Sequence, residues 1–263
     1  MITTSPSIGI IGGKGKMGQW FARFFKDLGL EVLISDLDTA LTPIDLVREA
    51  EVTVVSVPME AFNKVVGEIG PHIPKGHFLT DLCSLKERQV QYMWEHTNGC
   101  EFCGTHPLFG PFEDSIEGRR VAICPGRGDE WTRWWETLLR DAGAKTFRVP
   151  AQVHDTVMAW VQALNHFILI SLGMSLDELP LDKETIFNLA TPSFERQMKI
   201  VERLRHQDPE LYATIQFSNP HTLEALDGFM THANGLLSAI KKGDRDSFIE
   251  IFKRVQAFGG KGD

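Results

Sequence analysis

The sequence has little basic charge, few cysteines and no long uninterrupted apolar run. Its 27 lysines and arginines are outnumbered by 35 aspartates and glutamates, which gives a formal net charge of −8 at pH 7. Because nucleic-acid-binding proteins normally carry a basic surface, this balance argues against a nucleic-acid partner. If the substrate is an anion, its site has to be locally positive against this background.

Signals for export or membrane insertion are also missing from the sequence. No uninterrupted apolar run reaches the roughly 18 residues of a membrane span, and the stretch 1–7 does not have the pattern of a signal peptide. The hydrophobic content of 43% is normal for a globular protein with a substantial core. We therefore expect a cytoplasmic protein without a membrane association.

The four cysteines do not form a metal motif. They are Cys83, Cys100, Cys103 and Cys124. Cys100 and Cys103 have C-x-x-C spacing, but no second pair of cysteines or histidines accompanies them. Structural zinc sites need four such ligands. The sequence therefore predicts reduced thiols and no metal.

A glycine-rich stretch near the N-terminus predicts a dinucleotide site. A buried strand over 8–11 is followed by a G-x-G-x-x-G motif, and an amphipathic helix comes next. In such a motif the first glycine makes a tight turn, the second lets the backbone approach a pyrophosphate, and the third lets helix and strand pack closely. The free N–H groups at the helix start face the phosphates. The predicted cofactor-binding residues here are Gly13, Lys14, Gly15, Lys16, Met17 and Gly18.

Two later strand ends extend the predicted cofactor site. Asp36 ends a strand over 31–35, where a carboxylate can accept hydrogen bonds from the ribose hydroxyls of NAD and repel the 2′-phosphate of NADP. Ser56, Val57 and Pro58 end the next strand, and ligands of open α/β sheets bind at such carboxyl ends. The sequence favours NAD and leaves some use of NADP open. A glycine turn in an ordinary α/β domain is the simpler alternative.

The remaining pattern divides the chain near residue 150. Further strands are predicted over 78–81, 101–104, 121–124 and 145–149, with a tryptophan-rich helix before the last of them. After Pro150 the pattern is helical, with starts expected at Asp208-Pro209 and Asn219-Pro220. We predict an α/β nucleotide-binding domain over 1–150 and an all-helical domain over 151–263. The apolar surplus of those helices predicts a homodimer formed through the second domain.

Histidines, a serine and several arginines are the candidates for chemistry. His106 follows the strand at 101–104, and its imidazole can exchange a proton near neutral pH. Ser84 lies after another strand and suits a helix cap with Glu87, a role compatible with a substrate contact. His154 and His166 lie on one helical run, where a histidine is more often structural. Three arginines could hold a carboxylate, and composition does not choose among them: Arg196, Arg203 and Arg205.

Several motifs together resemble the prephenate dehydrogenase family, which includes arogenate dehydrogenases. The resemblance covers essentially the whole chain. Its most specific part is His-Pro-x-Phe-Gly-Pro over 106–111, placed after the glycine motif. The other matching stretches are 12–18, 54–58, 81–86, His154-Asp155, 162–167 and 203–212.

The resemblance implies a fold, a reaction and roles for particular residues. The fold is a Rossmann-type doubly wound sheet followed by an all-α dimerisation domain. The reaction is the NAD-dependent oxidative decarboxylation of prephenate, or of arogenate, a small anionic substrate of tyrosine biosynthesis. By similarity His106 is the catalytic histidine, with Ser84 near it, while His166 and Arg203 bind the substrate. Glu195 stands where some bifunctional members carry arginine, which we link to effector response or to an amino-bearing substrate.

Two other functions remain open from the residues alone. One is a different two-domain NAD(P) oxidoreductase, which would have a catalytic lysine or lack the loop at 106–111. The other is a non-catalytic NAD-binding sensor, which would bind the cofactor without turning over any cyclohexadienol.

Overall fold

A computed structural model describes residues 5–259 of the chain, in two compact units that are interleaved in sequence. The first unit extends to Met158 and includes Asp208–Asn219, and the second contains Ala159–Gln207 and the residues from Pro220 onward. The domain boundary predicted at residue 150 stays a prediction. Residues 1–4, which belong to the stretch without signal-peptide character, and 260–263 lie outside the described residues.

A seven-stranded sheet forms the centre of the first unit. The strands are β1 Ile8–Ile11, β2 Val32–Ser35, β3 Val52–Val55, β4 Phe78–Asp81, β5 Glu101–Pro107, β6 Arg120–Pro125 and β7 Lys145–Arg148. Their order is β2-β1-β3-β4-β5-β6-β7, and every neighbouring pair is parallel except β5 and β6, which are antiparallel. The order in which successive strands join the sheet reverses between β1 and β3. Ligands of such sheets bind at this switch point. The predicted doubly wound α/β fold is confirmed.

Helices alternate with the strands in the first unit and make up the second. In chain order they are α1 Lys16–Asp27, α2 Pro43–Glu49, α3 Met59–Ile69, α4 Glu87–His96, α5 Glu130–Asp141, α6 Ala151–Met158, α7 Asn165–Asp177, α8 Lys183–Asn188, α9 Pro192–Glu202, α10 Pro209–Ser218, α11 Thr222–Lys242 and α12 Arg245–Gly259. A π-helical segment covers Ala159–Leu164, and short 3₁₀ turns cover Gly70–His72 and Arg203–His206.

The central strands of the sheet are buried on both faces by layers of helices. The side chains of β1 and β3 are fully or almost fully buried, as expected for central parallel strands. One apolar layer contains aromatic side chains of α1 and α5, such as Phe21, Phe25 and Trp135. The other layer contains Leu46, Phe62, Val66 and Met93 from α2, α3 and α4. Trp131 and Trp135 are buried in this core.

One of the two predicted helix starts is correct and the other is wrong. Asp208 caps α10 by accepting a hydrogen bond from the N–H of Glu210, as predicted. Gly243 ends α11 in the left-handed conformation, with φ of 66°. Asn219 does not cap α11, because the helix starts at Thr222 with His221 in the N-cap position.

The helices of the second unit leave many apolar side chains exposed. The helical run Ala151–Asp177, whose residues up to Met158 belong to the first unit, is 27 residues long and contains an 18-residue window with a mean hydropathy of 1.5, of which 22% is buried. Length and composition alone would allow such a helix to cross a membrane, and they also suit a helix with one face covered by another protein. Exposed apolar residues of the second unit include Trp160, Val161, Met174, Leu223, Ile240, Phe252 and Val255.

Candidate active site

The strand register brings several predicted site residues to one edge of the sheet. Ile11, Val55, Asp81 and Gly104 pair in one row across β1, β3, β4 and β5. Two positions after each of these residues, the sequence contains Gly13, Val57, Cys83 and His106. Three strand spacings of about 4.8 Å make this row about 14 Å long. The glycine turn therefore follows one end of the paired row, and His106 follows the other end.

The glycine turn has the close contacts that a dinucleotide cradle requires. A Cβ on Gly18 would lie 2.3 Å from the carbonyl oxygen of Gly12, and one on Gly13 would lie 2.5 Å from Ile34. Gly15 is the N-cap residue of α1 and supplies no capping side chain, so the first N–H groups of the helix are open to a ligand. The tight turn itself falls on Gly12, with φ of 81°, and not on Gly13 as predicted.

The lysines and the methionine of the glycine motif have different surroundings. The ammonium of Lys14 lies 2.8 Å from the carboxylate of exposed Asp38. Lys16 lies over the ring of Phe112, with its nitrogen 5.7 Å from the ring centroid. Met17 is partly buried against the apolar core.

Asp36 lies beside the glycine turn, at the end of β2. One carboxylate oxygen accepts the backbone N–H of Lys14 at 2.8 Å, and the other accepts that of Leu37 at 2.8 Å. On the opposite side of β1, the carbonyl oxygen of Ser56 lies next to Gly12, and Pro58 is the N-cap residue of α3. These contacts place Asp36 and the segment 56–58 on the two sides of the glycine turn.

His106 is inside β5 and not beyond its end, which corrects the sequence prediction. The strand continues to Pro107 because His106 pairs with Ala122 of the antiparallel strand β6. The side chain is 4% exposed. Burial lowers the pKa of His106 well below its usual value, and so does the positive charge of Lys86. The imidazole is therefore neutral near pH 7, as a general base has to be.

His154 and Asp155 are next to His106, and the sequence reasoning did not assign them a role in the site. The Nδ1 atom of His106 lies 2.9 Å from Nε2 of His154, and Nδ1 of His154 lies 2.7 Å from Oδ1 of Asp155. The helical pattern around His154 favours a structural role for this residue. Its adjacency to an aspartate was the available signal, because a carboxylate next to a histidine fixes the imidazole tautomer.

A buried ion pair contacts the residue that precedes His106 in β5. The ammonium of Lys86 donates a hydrogen bond to Oδ2 of Asp81 and another to the carbonyl oxygen of Thr105 at 2.9 Å. Both charged side chains are fully buried. Ser84 is partly buried on the segment between them. The predicted capping by Ser84 and Glu87 is wrong, since Lys86 is the N-cap residue of α4 and Asp155 accepts its first N–H groups.

The remaining predicted substrate residues belong to the second unit. His166 lies in the first turn of α7, and burial lowers its pKa to about 4. Arg203 is exposed at the C-terminal end of α9, where the 3₁₀ turn begins. Arg205 lies 3.8 Å from Glu202, and Glu195 is in the first turn of α9.

The cysteines of the described residues are separate buried thiols. Cys83, Cys100, Cys103 and Cys124 are buried free thiols. No group of three or more histidine, cysteine, aspartate or glutamate residues within 5–259 could hold a metal ion. Burial raises the pKa of the Cys103 thiol to about 11, which keeps it protonated.

Comparison with known protein families decides the relationship. Residues 28–148 match the prephenate dehydrogenase nucleotide-binding domain, and residues 150–254 match the prephenate dehydrogenase dimerization domain. The chain belongs to the prephenate/arogenate dehydrogenase family. The resemblance noted from the sequence motifs is thereby confirmed.

Individual relatives of the family agree with the assignment. A probable arogenate/prephenate dehydrogenase of Methanocaldococcus jannaschii is 32% identical over 97% of the chain and 61% of its own length. The T-protein of Enterobacter agglomerans is 32% identical over 95% of the chain and 67% of its length. The chain thus spans about two thirds of the length of these relatives.

A solved structure of the family has the same fold. The prephenate dehydrogenase of A. aeolicus, in complex with hydroxyphenyl propionate and NAD⁺, has a TM-score of 0.76 with the chain. It is 19% identical and is matched over 100% of this chain and 99% of its own.

Proposed function

We propose that the chain catalyses the NAD-dependent oxidative decarboxylation of prephenate to 4-hydroxyphenylpyruvate and CO₂, a step of tyrosine biosynthesis. The observation that carries this proposal is the buried imidazole of His106, held through Nδ1, at the edge of the sheet where the glycine turn also lies. Membership of the prephenate/arogenate dehydrogenase family supplies the class of substrate.

The residues of the first unit suit NAD. The contacts of Gly12, Gly13 and Gly18 leave no room for side chains, which keeps the glycine turn packed against its neighbouring strands. The open N-terminus of α1 favours the negative charge of a pyrophosphate. Asp36 is available to the ribose hydroxyls. Bound NAD⁺ supplies the acceptor for the hydride that leaves C4 of the substrate ring.

His106 acts as the base for the substrate hydroxyl. Its Nε2 atom takes the hydroxyl proton as C4 becomes a carbonyl carbon. The C–C bond to the ring carboxylate then breaks, CO₂ leaves, and its electron pair makes the ring a phenolate. The phenolate takes the proton back from His106. Prephenate and NAD⁺ thus give 4-hydroxyphenylpyruvate, CO₂ and NADH, and the proton on His106 is returned.

The other assigned residues bind or orient the substrate. Arg203 pairs with a substrate carboxylate, for which a guanidinium offers two parallel hydrogen bonds. His166 contacts the substrate as a neutral imidazole, since burial lowers its pKa to about 4. The hydroxyl of Ser84 donates a hydrogen bond to the substrate oxygen near His106. These interactions hold the ring in a reactive position.

Arogenate is the second candidate substrate, because the name of the M. jannaschii relative includes it. It has an amino group where prephenate has the side-chain keto group, while the reacting ring is the same. The test is a spectrophotometric assay of NADH formation with each substrate and with NAD or NADP. We expect one CO₂ per NADH. Absence of NADH formation with both substrates would contradict the proposal.

Replacement of His106 tests the assignment of the base. We expect His106→Asn to lower kcat by about 10²- to 10⁴-fold, the usual contribution of a positioned acid–base group. The KM for NAD should change little. A variant with full turnover would remove His106 from the mechanism.

The second unit forms a homodimer in this proposal. Its exposed apolar side chains and its match to a dimerization domain support a shared interface between two copies. We place the enzyme in the cytoplasm, with a small anionic substrate and neither a membrane nor a nucleic acid as partner. Sedimentation at micromolar concentration should give a dimer, and a monomer would count against the interface.

A further inference from the structure

Three buried side chains of the first unit form a continuous hydrogen-bonded chain. The chain consists of His106, His154 and Asp155, which are 4%, 2% and 1% exposed. The two links are 2.9 Å between the imidazoles and 2.7 Å from His154 to the carboxylate. Because the three side chains are almost fully buried, the polar atoms of the two links depend on each other for their hydrogen bonds.

Backbone N–H groups fix the carboxylate of Asp155, the last member of the hydrogen-bonded series. Oδ1 of Asp155 accepts the N–H of Lys86 at 2.8 Å, and Oδ2 accepts the N–H of Glu87 at 2.9 Å. These are the first N–H groups of α4, which favour a negative charge. The amide of Asn219 also donates to the backbone carbonyl of Asp155 at 2.8 Å. Asp155 is therefore held in one position and acts only as an acceptor.

This arrangement determines where each imidazole carries its proton. Because Asp155 accepts, Nδ1 of His154 has to carry a proton, and the neutral form of this ring therefore has a lone pair on Nε2. That lone pair accepts from His106, so Nδ1 of His106 carries the second proton. The Nε2 atom of His106 is then left with a lone pair, which is the state that a base for a substrate hydroxyl requires.

We propose that His154 and Asp155 are positioning residues that hold His106 in its proton-accepting tautomer and stabilise the imidazolium formed during the reaction. This inference rests on the proposed function of His106. When Nε2 of His106 takes the hydroxyl proton, the positive charge faces the lone pair of His154 and the anion of Asp155 behind it. A chain that only fastened α6 to the sheet would not need to leave that nitrogen unprotonated.

Nitrogen-15 NMR of the histidine rings in the unliganded protein tests the tautomer directly. Two-bond correlations distinguish a proton on Nδ1 from one on Nε2, and the His106→Asn and His154→Gln variants assign the signals. We expect both His106 and His154 to be protonated on Nδ1. A His106 ring protonated on Nε2 would overturn the proposal. The measurement needs neither substrate nor NAD, so it gives an answer even if the proposed reaction is wrong.

Variants of His154 and Asp155 test the effect of these hydrogen bonds on catalysis. Asp155→Asn removes the anion, so a fraction of His106 should shift to the Nε2–H tautomer and kcat should fall about 10²-fold with the KM for NAD unchanged. His154→Leu should lower kcat to a similar extent. His154→Gln should recover part of it, since its amide oxygen can still accept from Nδ1 of His106.

Buried His77 provides the matched control. It is 3% exposed in the same unit, and its Nε2 atom is hydrogen-bonded to the hydroxyl of Thr53 at 2.9 Å. His77 immediately precedes β4 and is therefore away from the carboxyl ends of the strands. His77→Gln should leave kcat within about twofold of wild type, a difference of under ~0.5 kcal/mol in barrier. If His154→Leu and Asp155→Asn fold and retain wild-type kcat, the positioning role is wrong. If Asp155→Asn does not fold, the wild-type tautomers and the two His154 variants still decide.

Discussion

Lys86 donates a hydrogen bond from its ammonium to the carboxylate of Asp81, and both side chains are completely removed from solvent. The backbone N–H of Cys83 donates to the same carboxylate oxygen at 2.9 Å. The carbonyl oxygen of Thr105 accepts from the ammonium at 2.9 Å. The pair thus links the end of β4, the start of α4 and the strand that carries His106.

Removal of one member of this pair should destabilise the protein far more than removal of both. Lys86→Met leaves Asp81 as an unpaired buried charge, which costs about 3–5 kcal/mol of unfolding free energy. The double variant Lys86→Met/Asp81→Asn buries no charge and should recover a large part of this loss. Urea unfolding at a fixed protein concentration measures both values.

An exposed pair serves as the control for that experiment. Arg133 lies 3.3 Å from Asp129 one helical turn away on α5. Arg133→Met should cost about 0.5 kcal/mol, the usual value for a solvated pair. Equal losses at the buried and exposed pairs would contradict the account of Lys86 and Asp81.

The sequence predicted the strands and the helical second half because their patterns are local. Ile8–Ile11 and Phe78–Asp81 have the predicted limits, since continuous apolar runs bounded by turns determine buried strands. His106 was wrongly placed beyond a strand end because the partner that extends β5 is the antiparallel strand β6. A pairing between distant segments leaves no periodic signal near the histidine.

Asp155, which the sequence did not place in the site, is also held there by contacts with a distant segment. Asp155 caps α4 from 69 positions away, a distance at which no capping motif can be read from the sequence. Ser84 and Glu87 matched a local capping pattern, yet the structure uses Asp155 instead. Similarly, Gly12 takes the positive φ because the turn starts immediately after β1, one residue before the motif.

His77 should make the protein less stable in mild acid. Burial lowers its pKa from 6.5 to about 4 in the folded state. Between these values the unfolded chain binds a proton that the folded chain does not, so the free energy of unfolding falls as the pH decreases from about 6.5 to 4. The contribution is about 3 kcal/mol for a shift of this size.

Replacement of His77 isolates this contribution from those of other buried histidines, such as His106 and His166. His77→Gln keeps a polar side chain near Thr53 but does not titrate. Its unfolding free energy should decline less steeply than that of wild type across the same pH range, as measured by urea unfolding at several pH values. Parallel pH dependences of the two proteins would show that His77 is not the group responsible.

Asp36 should control the choice between NAD and NADP in the proposed enzyme. Its carboxylate lies beside the glycine turn, where it would accept ribose hydroxyls and repel a 2′-phosphate. Asp36→Ser should raise the KM for NAD about tenfold, the loss of roughly one charged hydrogen bond of about 1.5 kcal/mol. It should also lower the KM for NADP.

Asp38 is the control for Asp36, because it is exposed and paired with Lys14 at 2.8 Å. Asp38→Asn should leave the KM for NAD within about twofold of wild type, since exposed ion pairs contribute little. Initial rates with each cofactor at saturating prephenate give both constants. The specificity role of Asp36 would be rejected if the ratio of the two KM values were the same in Asp36→Ser and wild type.

Arg203 should determine affinity for the substrate, whereas Arg205 two positions later should not. Arg203 begins the 3₁₀ turn after α9 with an exposed side chain, and Arg205 lies 3.8 Å from the carboxylate of Glu202. Arg203→Ala should raise the KM for prephenate about 10²-fold with little change in kcat, because a carboxylate contact made equally in ground and transition states changes only KM. A charged bidentate contact worth about 3 kcal/mol gives this factor.

The paired variant separates a specific contact from a general loss of positive charge. Arg205→Ala removes the same charge from the same turn and should change the KM less than about threefold, since screening weakens exposed charges that do not contact the ligand. Arg203→Lys should recover only part of the affinity, because an ammonium cannot make two parallel hydrogen bonds to a carboxylate. An equal rise of KM in Arg203→Ala and Arg205→Ala would point to long-range attraction of the anion and would remove Arg203 as its binding partner.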